Sequence, residues 1–325
     1  MNQSHQTGRS VAEGVIPVVA SSDQNYAIHL TVMFTSLLRN CSDPERVQLF
    51  CIDGGITEQT RERMNEEIVH AGGRGIEFIN VDKKRFEHLP TLKHITSSAY
   101  YRIAIPELFD ESVKKAVYLD CDIIVRGDIL ELAATDLTGF GVAAVENISG
   151  HTYKKLGIPQ SEYFNSGVLL LNLDYWRENS ISDQVLQFKQ ENPHRISTND
   201  QCALNGILHQ SWKHLPLKWN HQTGLYRQSD QTDAFSPEEV KSANLDPQII
   251  HYIGWDKPWR KVRFHPLADE YDRYADQLLG PSPRPKPGVG DYIRAYGSIS
   301  HLKKLWRCRK NRDWYRSNGF DLYGG

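Results

Sequence analysis

The chain has 325 residues, of which 39% are hydrophobic and 10% are aromatic. This length and apolar content exclude a peptide hormone, a disulfide-stabilised miniprotein and a chain that is disordered throughout, because about 300 residues bury roughly three quarters of their unfolded surface. The 38 Lys and Arg residues nearly balance the 40 Asp and Glu residues, and a net charge of -2 supplies no global field that would attract nucleic acid. We therefore expect one large α/β unit or two smaller ones, and no nucleic-acid partner.

The cysteines and the N-terminal segment indicate the compartment. The five cysteines are odd in number and widely scattered, without a Cys-x-x-Cys pair, which favours a reducing compartment. Residues 1–14 are polar and lack the apolar core of a signal peptide, and no stretch approaches 18 uncharged apolar residues. The sequence therefore predicts a cytoplasmic protein in which residues 1–14 form a disordered N-terminus.

Short apolar runs alternate with longer amphipathic ones along the chain, which is the rhythm of a largely parallel sheet flanked by helices. Strands are predicted at 15–21, 47–53, 76–81, 116–122, 141–145, 166–173 and 249–253. Helices are predicted at 26–39, 57–71, 98–105, 174–190 and 199–209. These elements predict an α/β fold with a mostly parallel central sheet, in one domain at 15–279.

The composition changes after residue 279. Residues 280–290 contain four prolines and three glycines, which predicts a linker. Residues 291–316 contain eight Lys and Arg residues against two Asp, interleaved with aromatic residues, so that 291–325 is a basic aromatic C-terminal tail. Such a tail can hold a protein at an anionic membrane surface, at on the order of 1 kcal/mol per cation, or it can be a solvated helix that packs on its own domain. The sequence favours neither alternative.

The sharpest local feature is Asp120-Cys121-Asp122, which follows the apolar residues 117–119. With the period of two of a strand, Asp120 and Asp122 would project to the same side. Two neighbouring carboxylates are unfavourable unless a cation lies between them, and hard oxygen ligands suit Mg²⁺ or Mn²⁺. A pair of loop carboxylates that caps the next helix is the alternative. The position at the carboxyl edge of a buried strand, where ligands of α/β proteins bind, favours a metal site.

His251 lies in the apolar run 249–253 and is followed by Gly254 and Lys257. An imidazole at a strand end could complete the coordination of the two aspartates, and a nitrogen ligand favours Mn²⁺ over Mg²⁺. Gly254 would let the backbone approach a phosphate, and Lys257 would supply a point charge to it. A lone histidine is more often structural, so the ligand interpretation depends on the combination.

Asp23, Asn25 and Tyr26 come directly after the first predicted strand, where a nucleotide base would bind in a doubly wound fold. A carboxylate and an amide can read the hydrogen bonds of the base, and an aromatic face can stack on it. The Gly-x-Gly-x-x-Gly motif of dinucleotide proteins is absent from this turn, which counts against NAD and FAD. Ordinary capping of the following helix is the alternative.

Two further polar segments interrupt apolar runs. Asn165 precedes the strand at 166–173, where a buried amide needs a partner. Asp200 and Gln201 begin the helix predicted at 199–209 and would face the mouth of the sheet. Neither segment identifies a reaction alone.

Taken in order, these segments resemble glycosyltransferase family 8, over residues 15–265. The similarity is greatest to its bacterial lipooligosaccharide α-galactosyltransferases and glucosyltransferases. The resemblance implies a GT-A fold, in which a Rossmann-like sheet region merges with an acceptor-binding part, and a catalytic domain at 15–279. It also implies a retaining transfer from UDP-glucose or UDP-galactose to a saccharide, lipid-linked or protein-linked acceptor, with Mn²⁺ or alternatively Mg²⁺ as the metal.

The resemblance further implies a role for each matching residue. The metal ligands match Asp120, Asp122 and His251. The catalytic residues match Gln201, Asp200 and Arg102, with Gln201 below the anomeric carbon. The donor-binding residues match Asp23, Asn25, Tyr26, His94, Arg102, Asp120, Cys121, Asp122, Asn165, Asp200, Gln201, His251, Gly254 and Lys257. Cys202 departs from the family pattern, since close relatives often carry a second acid there.

Two other functions are alternatives to glycosyl transfer. A sugar-nucleotide pyrophosphorylase would need a glycine-rich basic loop after the first strand, and residues 21–26 contain no glycine. A non-catalytic nucleotide-sugar-binding protein is disfavoured because every metal and donor position is filled. The membrane alternative for the tail would place the protein at the inner face of the cell membrane.

Overall fold

The computed structural model describes residues 8–81, 97–148, 150–196, 199–227, 235–280 and 285–322. Its strands, in chain order, are β1 (Ile16–Ser22), β2 (Val47–Asp53), β3 (Ile76–Ile79), β4 (Lys115–Leu119), β5 (Ile123–Val125), β6 (Val142–Ala144), β7 (Val168–Asn172), β8 (Trp212–His214), β9 (His221–Gln222) and β10 (Ile249–His251).

Most helices lie between strands in the order of the chain, and the last three follow β10. In chain order they are α1 (Ala27–Asn40), α2 (Glu58–His70), α3 (Ile105–Leu108), α4 (Ile129–Ala133), α5 (Tyr153–Leu156), α6 (Leu173–Glu178), α7 (Ile181–Glu191), α8 (Asn199–Leu208), α9 (Pro237–Leu245), α10 (Asp269–Ala275), α11 (Val289–Tyr296) and α12 (Ile299–Ser317). Short 3₁₀ segments lie at Pro44–Arg46, Ser97–Ala104, Gln160–Glu162, Leu217–Asn220 and Leu225–Arg227.

The central sheet has seven strands in the order β3-β2-β1-β4-β7-β6-β8. All neighbours are parallel except β7, which is antiparallel to both β4 and β6. A second sheet has the order β5-β10-β9, with β10 antiparallel to β5 and parallel to β9. The predicted α/β fold with a mostly parallel central sheet is therefore confirmed.

The two faces of the central sheet bury separate hydrophobic clusters because successive side chains of a strand point to opposite faces. In β1, Val18 and Ala20 pack with Leu30 of α1, whereas Val19 belongs to the cluster that contains Tyr100 and Trp176. All six side chains are almost completely buried. The sheet is thus covered by helices on both faces, as expected for parallel strands.

Three predicted elements differ from the structure. The strand predicted at 116–122 ends at Leu119, and Asp120-Cys121-Asp122 forms a turn that leads into β5. The helix predicted at 174–190 is interrupted between α6 and α7, where Ser180 adopts a left-handed conformation with φ 49°. Most of the helix predicted at 98–105 is a 3₁₀ segment. Four elements between β7 and the tail, namely β8, β9, α9 and α10, were not predicted.

Both terminal segments contact the central domain. In the segment predicted to be disordered, the backbone of Arg9 exchanges hydrogen bonds with Leu108 and Asp110, each 3.0 Å long. In the predicted basic tail, α11 and α12 are helical, and Tyr315 is completely buried. Among the described residues, none of the helices combines the length and hydropathy that a bilayer crossing requires.

Candidate active site

The strand register brings two aspartates and one histidine together. The chain leaves β4 at Leu119, turns through Asp120 and Asp122, and enters β5, which pairs with β10 so that His251 lies opposite Ile123. The Nε2 atom of His251 is 3.3 Å from Oδ1 of Asp122 and 3.9 Å from Oδ2 of Asp120. One ligand atom of each residue lies within 4.8 Å of the others. Among the described residues, the chain therefore gathers an N,O,O donor set at one point.

A hydrogen bond on the far side of the imidazole fixes its orientation. Nδ1 of His251 is 3.0 Å from Oδ1 of Asn220, whose own Nδ2 donates to Oδ1 of Asn165 at 2.8 Å. Because that amide oxygen can only accept, the proton lies on Nδ1, and the lone pair of Nε2 faces the two carboxylates. This is the arrangement that orients metal-binding histidines in proteins.

Gly167 keeps the space around the donor set open. A Cβ atom at this position would lie 2.8 Å from Oδ2 of Asp120 and 2.9 Å from Nδ1 of His251, and closer still to the Cε1 atom of the imidazole. Two carboxylates and one imidazole around a space kept free by glycine suit a divalent ion such as Mn²⁺. The residues present therefore fit the predicted metal.

The Arg102 guanidinium contacts both Asp120 and Asp200. Its guanidinium is 2.9 Å from Oδ1 of Asp120 and 3.0 Å from Oδ2 of Asp200, it donates to the Ser166 carbonyl at 2.6 Å, and it lies 4.2 Å from the Tyr118 ring centroid. Burial opposes the charge of Arg102, but Asp120 and Asp200 raise its pKa above the ordinary value. The guanidinium is therefore a permanent buried cation that holds the two carboxylates in place.

Lys257 neutralises the other aspartate. Its Nζ atom contacts Oδ2 of Asp122 and donates to the Tyr252 carbonyl at 2.8 Å. Burial alone would raise the pKa of Asp122, but Lys257 holds it below its usual range. Gly254, three residues earlier, has φ 83°, a left-handed conformation that favours glycine. The loop therefore places the Lys257 ammonium beside the Asp122 carboxylate, and Gly254 leaves the nearby backbone without a side chain.

Gln201 and Asn165 belong to one network of amide side chains. Oε1 of Gln201 accepts from Nδ2 of Asn165 and from the backbone of Ser166, both at 3.1 Å, and its Nε2 donates to Tyr163 at 3.2 Å. Asn165 connects onward to Asn220 and so to His251. The amide of Gln201 is therefore held at both ends, in the same network that orients the imidazole.

The predicted base-binding residues lie opposite the Lys257 loop. Oδ1 of Asp23 accepts from the backbone nitrogens of Asn25 at 2.9 Å and Tyr26 at 3.1 Å, so Asp23 stabilises the turn that precedes α1 and does not cap the helix, whose N-cap residue is Tyr26. The Tyr26 ring is 40% exposed and meets Trp259 edge-to-face at 5.9 Å. Trp259 stacks on His29 at 3.7 Å. The turn at 23–26 and the loop that follows His251 are thus in contact.

Two predicted donor residues stand apart. The Cys121 side chain is buried, and its thiol donates to the Ser21 carbonyl at 3.2 Å, so the side chain packs against β1. His94 lies outside the described residues.

Sequence reasoning missed several residues beside the site. Asn220, Tyr163 and Ser166 complete the network, but each is an ordinary polar residue in the sequence and gives no signal there. Glu146 is buried next to Asn147, which accepts from Nε2 of Gln201 at 3.4 Å. Burial raises the pKa of Glu146 to about 7, and its Oε1 atom is without a hydrogen-bond partner among the described residues. The sequence signal for Glu146 is its position as a carboxylate directly after the apolar run 142–145.

The comparisons with known proteins identify the family of the chain. The family profile of "Glycosyl transferase family 8" matches residues 17–263. General stress protein A of Bacillus subtilis (strain 168) is 38% identical over 266 residues, which cover 80% of this chain and 93% of that protein. The lipopolysaccharide 1,3-galactosyltransferase of Salmonella typhimurium is 25% identical over 259 residues, covering 77% and 74% of the two chains.

A solved structure shows the same fold. The crystal structure of the galactosyltransferase LgtC in complex with donor and acceptor sugar analogs superimposes with a TM-score of 0.72 at 28% identity, covering 82% of this chain and 97% of that one. The family profile covers well over half of the chain. The chain therefore belongs to glycosyltransferase family 8 and is a glycosyltransferase with the GT-A fold.

Proposed function

We propose that this glycosyltransferase moves glucose or galactose from a UDP-sugar to a saccharide, lipid-linked or protein-linked acceptor, with retention of the anomeric configuration and with Mn²⁺, or alternatively Mg²⁺, as the metal. The observation that carries the proposal is the cluster of Asp120, Asp122 and His251, in which the free lone pair of the imidazole faces two carboxylates. The galactosyltransferase activity named for two relatives supports a hexose donor.

Asp120, Asp122 and His251 would hold the cation, which when bound supplies positive charge to the diphosphate leaving group. Lys257 would bring a second positive charge to the same phosphates, because it already reaches Asp122 from the adjoining loop. Gly254, without a side chain, would let the loop backbone approach them. These residues together would stabilise the charge that develops as the sugar leaves.

Arg102 and Asp200 would act beside the sugar. Arg102 is 4% exposed and already bonded to both Asp120 and Asp200, so its contribution is to hold those carboxylates in position. Asp200 also accepts from the Ser166 hydroxyl at 3.1 Å, through the same Oδ2 atom that contacts Arg102. We assign Asp200 and Asn165 to the hydroxyl groups of the donor sugar.

Gln201 would position the donor and not attack it. Its amide is neutral, a weak nucleophile compared with a carboxylate, and both of its ends are engaged by Asn165, Ser166 and Tyr163. Retention then proceeds by attack from the face that the phosphate leaves. The acceptor oxygen forms the new bond to the anomeric carbon as the bond to phosphate breaks, and the departing phosphate oxygen takes the acceptor proton.

The uridine would lie between the turn at 23–26 and the loop after His251. Asp23 and Asn25 offer a carboxylate oxygen and an amide, and the exposed Tyr26 ring offers a face for stacking. Cys121 would contribute through its backbone because its thiol is buried. His94 remains assigned to the donor loop by resemblance.

The tail supports a peripheral contact with an anionic membrane. Most of the large apolar side chains that are exposed in the described residues lie on α11 and α12, namely Val289, Tyr292, Ile293, Tyr296, Ile299, Leu302 and Trp306. Basic residues of α12 flank them, and basic side chains next to interfacial aromatics are attracted to anionic head groups. A lipid-linked acceptor at the inner face of the cell membrane would suit this surface.

Vesicle binding tests the membrane contact. The double substitution Ile293→Asp and Trp306→Ser should abolish co-sedimentation with vesicles that contain phosphatidylglycerol. The matched control is Val69→Asp, which changes an equally exposed apolar residue of α2. Unchanged sedimentation of the double variant would contradict the contact.

A donor assay tests the catalytic proposal. With UDP-glucose or UDP-galactose and Mn²⁺, the protein should slowly release free hexose and UDP, and the acceptor screen should then use the preferred donor. Release of UTP that depends on pyrophosphate would indicate a pyrophosphorylase reaction. Binding of the donor without turnover would contradict the proposed transfer.

A further inference from the structure

The helix α12 reaches back to two segments that carry candidate site residues. Near its start it contacts the loop that contains Gly254 and Lys257, and in its last turn it contacts the segment that contains Asn220 and β9. We propose that α12 braces these two segments, so that Lys304 and Tyr315 are positioning residues for donor and metal binding. This inference rests on the proposed function for its effect on ligands, but the brace itself can be measured without any ligand.

The first contact holds the donor loop. Nζ of Lys304 is 3.3 Å from each carboxylate oxygen of Asp256, the direct neighbour of Lys257. The Asp256 side chain is 14% exposed, so water competes little for it. The same ammonium lies 5.2 Å from the centroid of the Phe264 ring, on which the His301 ring of α12 stacks at 5.4 Å. α12 therefore holds the segment 256–264 at both of its ends.

The second contact holds the strand beside the metal site. The Tyr315 hydroxyl donates to Oδ1 of Asn244 at 3.2 Å and lies 3.4 Å from Nε2 of His221. Nε2 of His221 is itself 2.7 Å from the same Asn244 oxygen, so three buried side chains share one hydrogen-bonded cluster. The cluster anchors the start of β9, whose ladder places Gln222 opposite His251.

The anchored strand continues directly from Asn220. Oδ1 of Asn220 accepts the Nδ1 proton of His251, and this bond decides which nitrogen faces the carboxylates. A shift of the backbone at His221 would move Asn220 with it, because the two residues are adjacent in the chain. The Tyr315 hydroxyl is thus connected to the imidazole of His251 through three hydrogen bonds, Tyr315–Asn244, Asn244–His221 and Asn220–His251, and through the peptide bond between Asn220 and His221.

The helix is fixed firmly enough to act as a brace. Arg312 forms an ion pair with Asp269 of α10, and Cys308 is buried. After the helix ends, Phe320 packs under the Arg126 guanidinium at 4.5 Å. The inner face of α12 is therefore part of the folded domain, while its outer face stays exposed.

Hydrogen exchange of the ligand-free protein tests the brace. Tyr315→Phe removes one hydroxyl and should raise amide exchange in residues 217–224 by about three- to tenfold, the equivalent of one lost hydrogen bond. Lys304→Ala should raise exchange in residues 252–260, and Lys304→Arg should restore it. Lys303→Ala, an exposed neighbour on the same helix, is the matched control and should leave both segments unchanged. Unaltered exchange in Tyr315→Phe and Lys304→Ala would overturn the proposal.

Calorimetry with UDP and Mn²⁺ then tests the positioning role. Tyr315→Phe should weaken UDP binding by about three- to tenfold, and Lys304→Ala by less than about threefold because a half-exposed ion pair contributes little. Faster exchange with unchanged UDP affinity would overturn the positioning role and leave only a structural contact. If the wild-type protein binds no UDP, the proposed function fails, whereas the exchange result still decides the brace.

Discussion

Replacing Gly167 by alanine would place a methyl group between His251 and Asp120. The added Cβ would lie 2.8 Å from Oδ2 of Asp120 and 2.9 Å from Nδ1 of His251, well inside ordinary van der Waals separation. Neither neighbour can yield cheaply, because the imidazole is held by Asn220 and the carboxylate by Arg102 and Tyr118. The imidazole must therefore move away from the carboxylates with which it would share a cation.

The expected effects differ in size for stability and for metal binding. Overpacking of this kind costs about 1–3 kcal/mol, which leaves a domain of this size folded at room temperature. Displacing an oriented ligand lowers metal affinity by about 10- to 100-fold. Calorimetric titration of Mn²⁺ in the presence of UDP should therefore show a much weaker uptake by Gly167→Ala, whereas its circular dichroism spectrum should match the wild type.

Gly290→Ala is the matched control for that experiment. A Cβ atom at Gly290 would meet nothing within 4 Å, so the same substitution adds a methyl group in open space. Its Mn²⁺ affinity should equal that of the wild type. Equal affinity in Gly167→Ala, in a folded protein, would refute the reasoning that these three side chains form the metal site.

Three further predictions follow from the same geometry. Asp120→Asn should abolish metal-dependent donor hydrolysis, whereas Asp136→Asn, an exposed surface carboxylate, should not; retained hydrolysis in the first variant would remove Asp120 from the site. Gln201→Ala should lower kcat modestly with donor affinity retained, and complete loss of turnover would instead favour an obligatory catalytic role. Burial lowers the pKa of His221 to about 4 from 6.5, so the unfolded chain takes up the proton first as the pH falls. The contribution of this histidine to the free energy of unfolding should be complete above pH 6.5 and fall by about 3 kcal/mol towards pH 4, at about 1.36 kcal/mol per pKa unit. Denaturant unfolding should show a smaller fall in stability for His221→Gln over the same pH range. An equal fall in this variant would contradict the assignment.

The three residues of the candidate metal site lie together as expected from the sequence, but their local geometry differs from the prediction. Strand alternation was expected to align Asp120 and Asp122, but the chain turns at these residues, and the turn brings the carboxylates together. The sequence conceals the turn because apolar residues 123–125 continue the run after it. Those residues form β5, and its pairing with β10 is what brings His251 into the site. That pairing joins residues more than 120 positions apart, and nothing local in either strand encodes it.

The orientation of the imidazole was beyond sequence reasoning for a similar reason. Asn220 is one of many asparagines, and its role depends on a hydrogen bond to a histidine 31 positions further along the chain. The interruption between α6 and α7 was also hidden, since Ser180 adopts a left-handed conformation without the glycine that usually marks one.

For the C-terminal tail, amino-acid composition does not specify which side chains are buried. Its aromatic and basic residues predicted either a membrane surface or a packed helix, and the structure gives α12 a buried inner face and an exposed outer one. Tyr315 is completely buried, whereas Trp306 is 65% exposed. Which aromatic residue points inward depends on where the helix meets α10 and β9, and the amino-acid pattern of the helix does not specify that meeting point.

Calorimetric titration of the wild-type protein with Mn²⁺ in the presence of UDP tests the proposed metal centre most directly. We predict saturable uptake of one ion per chain, and loss of that uptake in His251→Ala, in which the only nitrogen ligand of the cluster is removed. Absence of uptake by the wild type, or the same uptake by His251→Ala, would contradict the assignment.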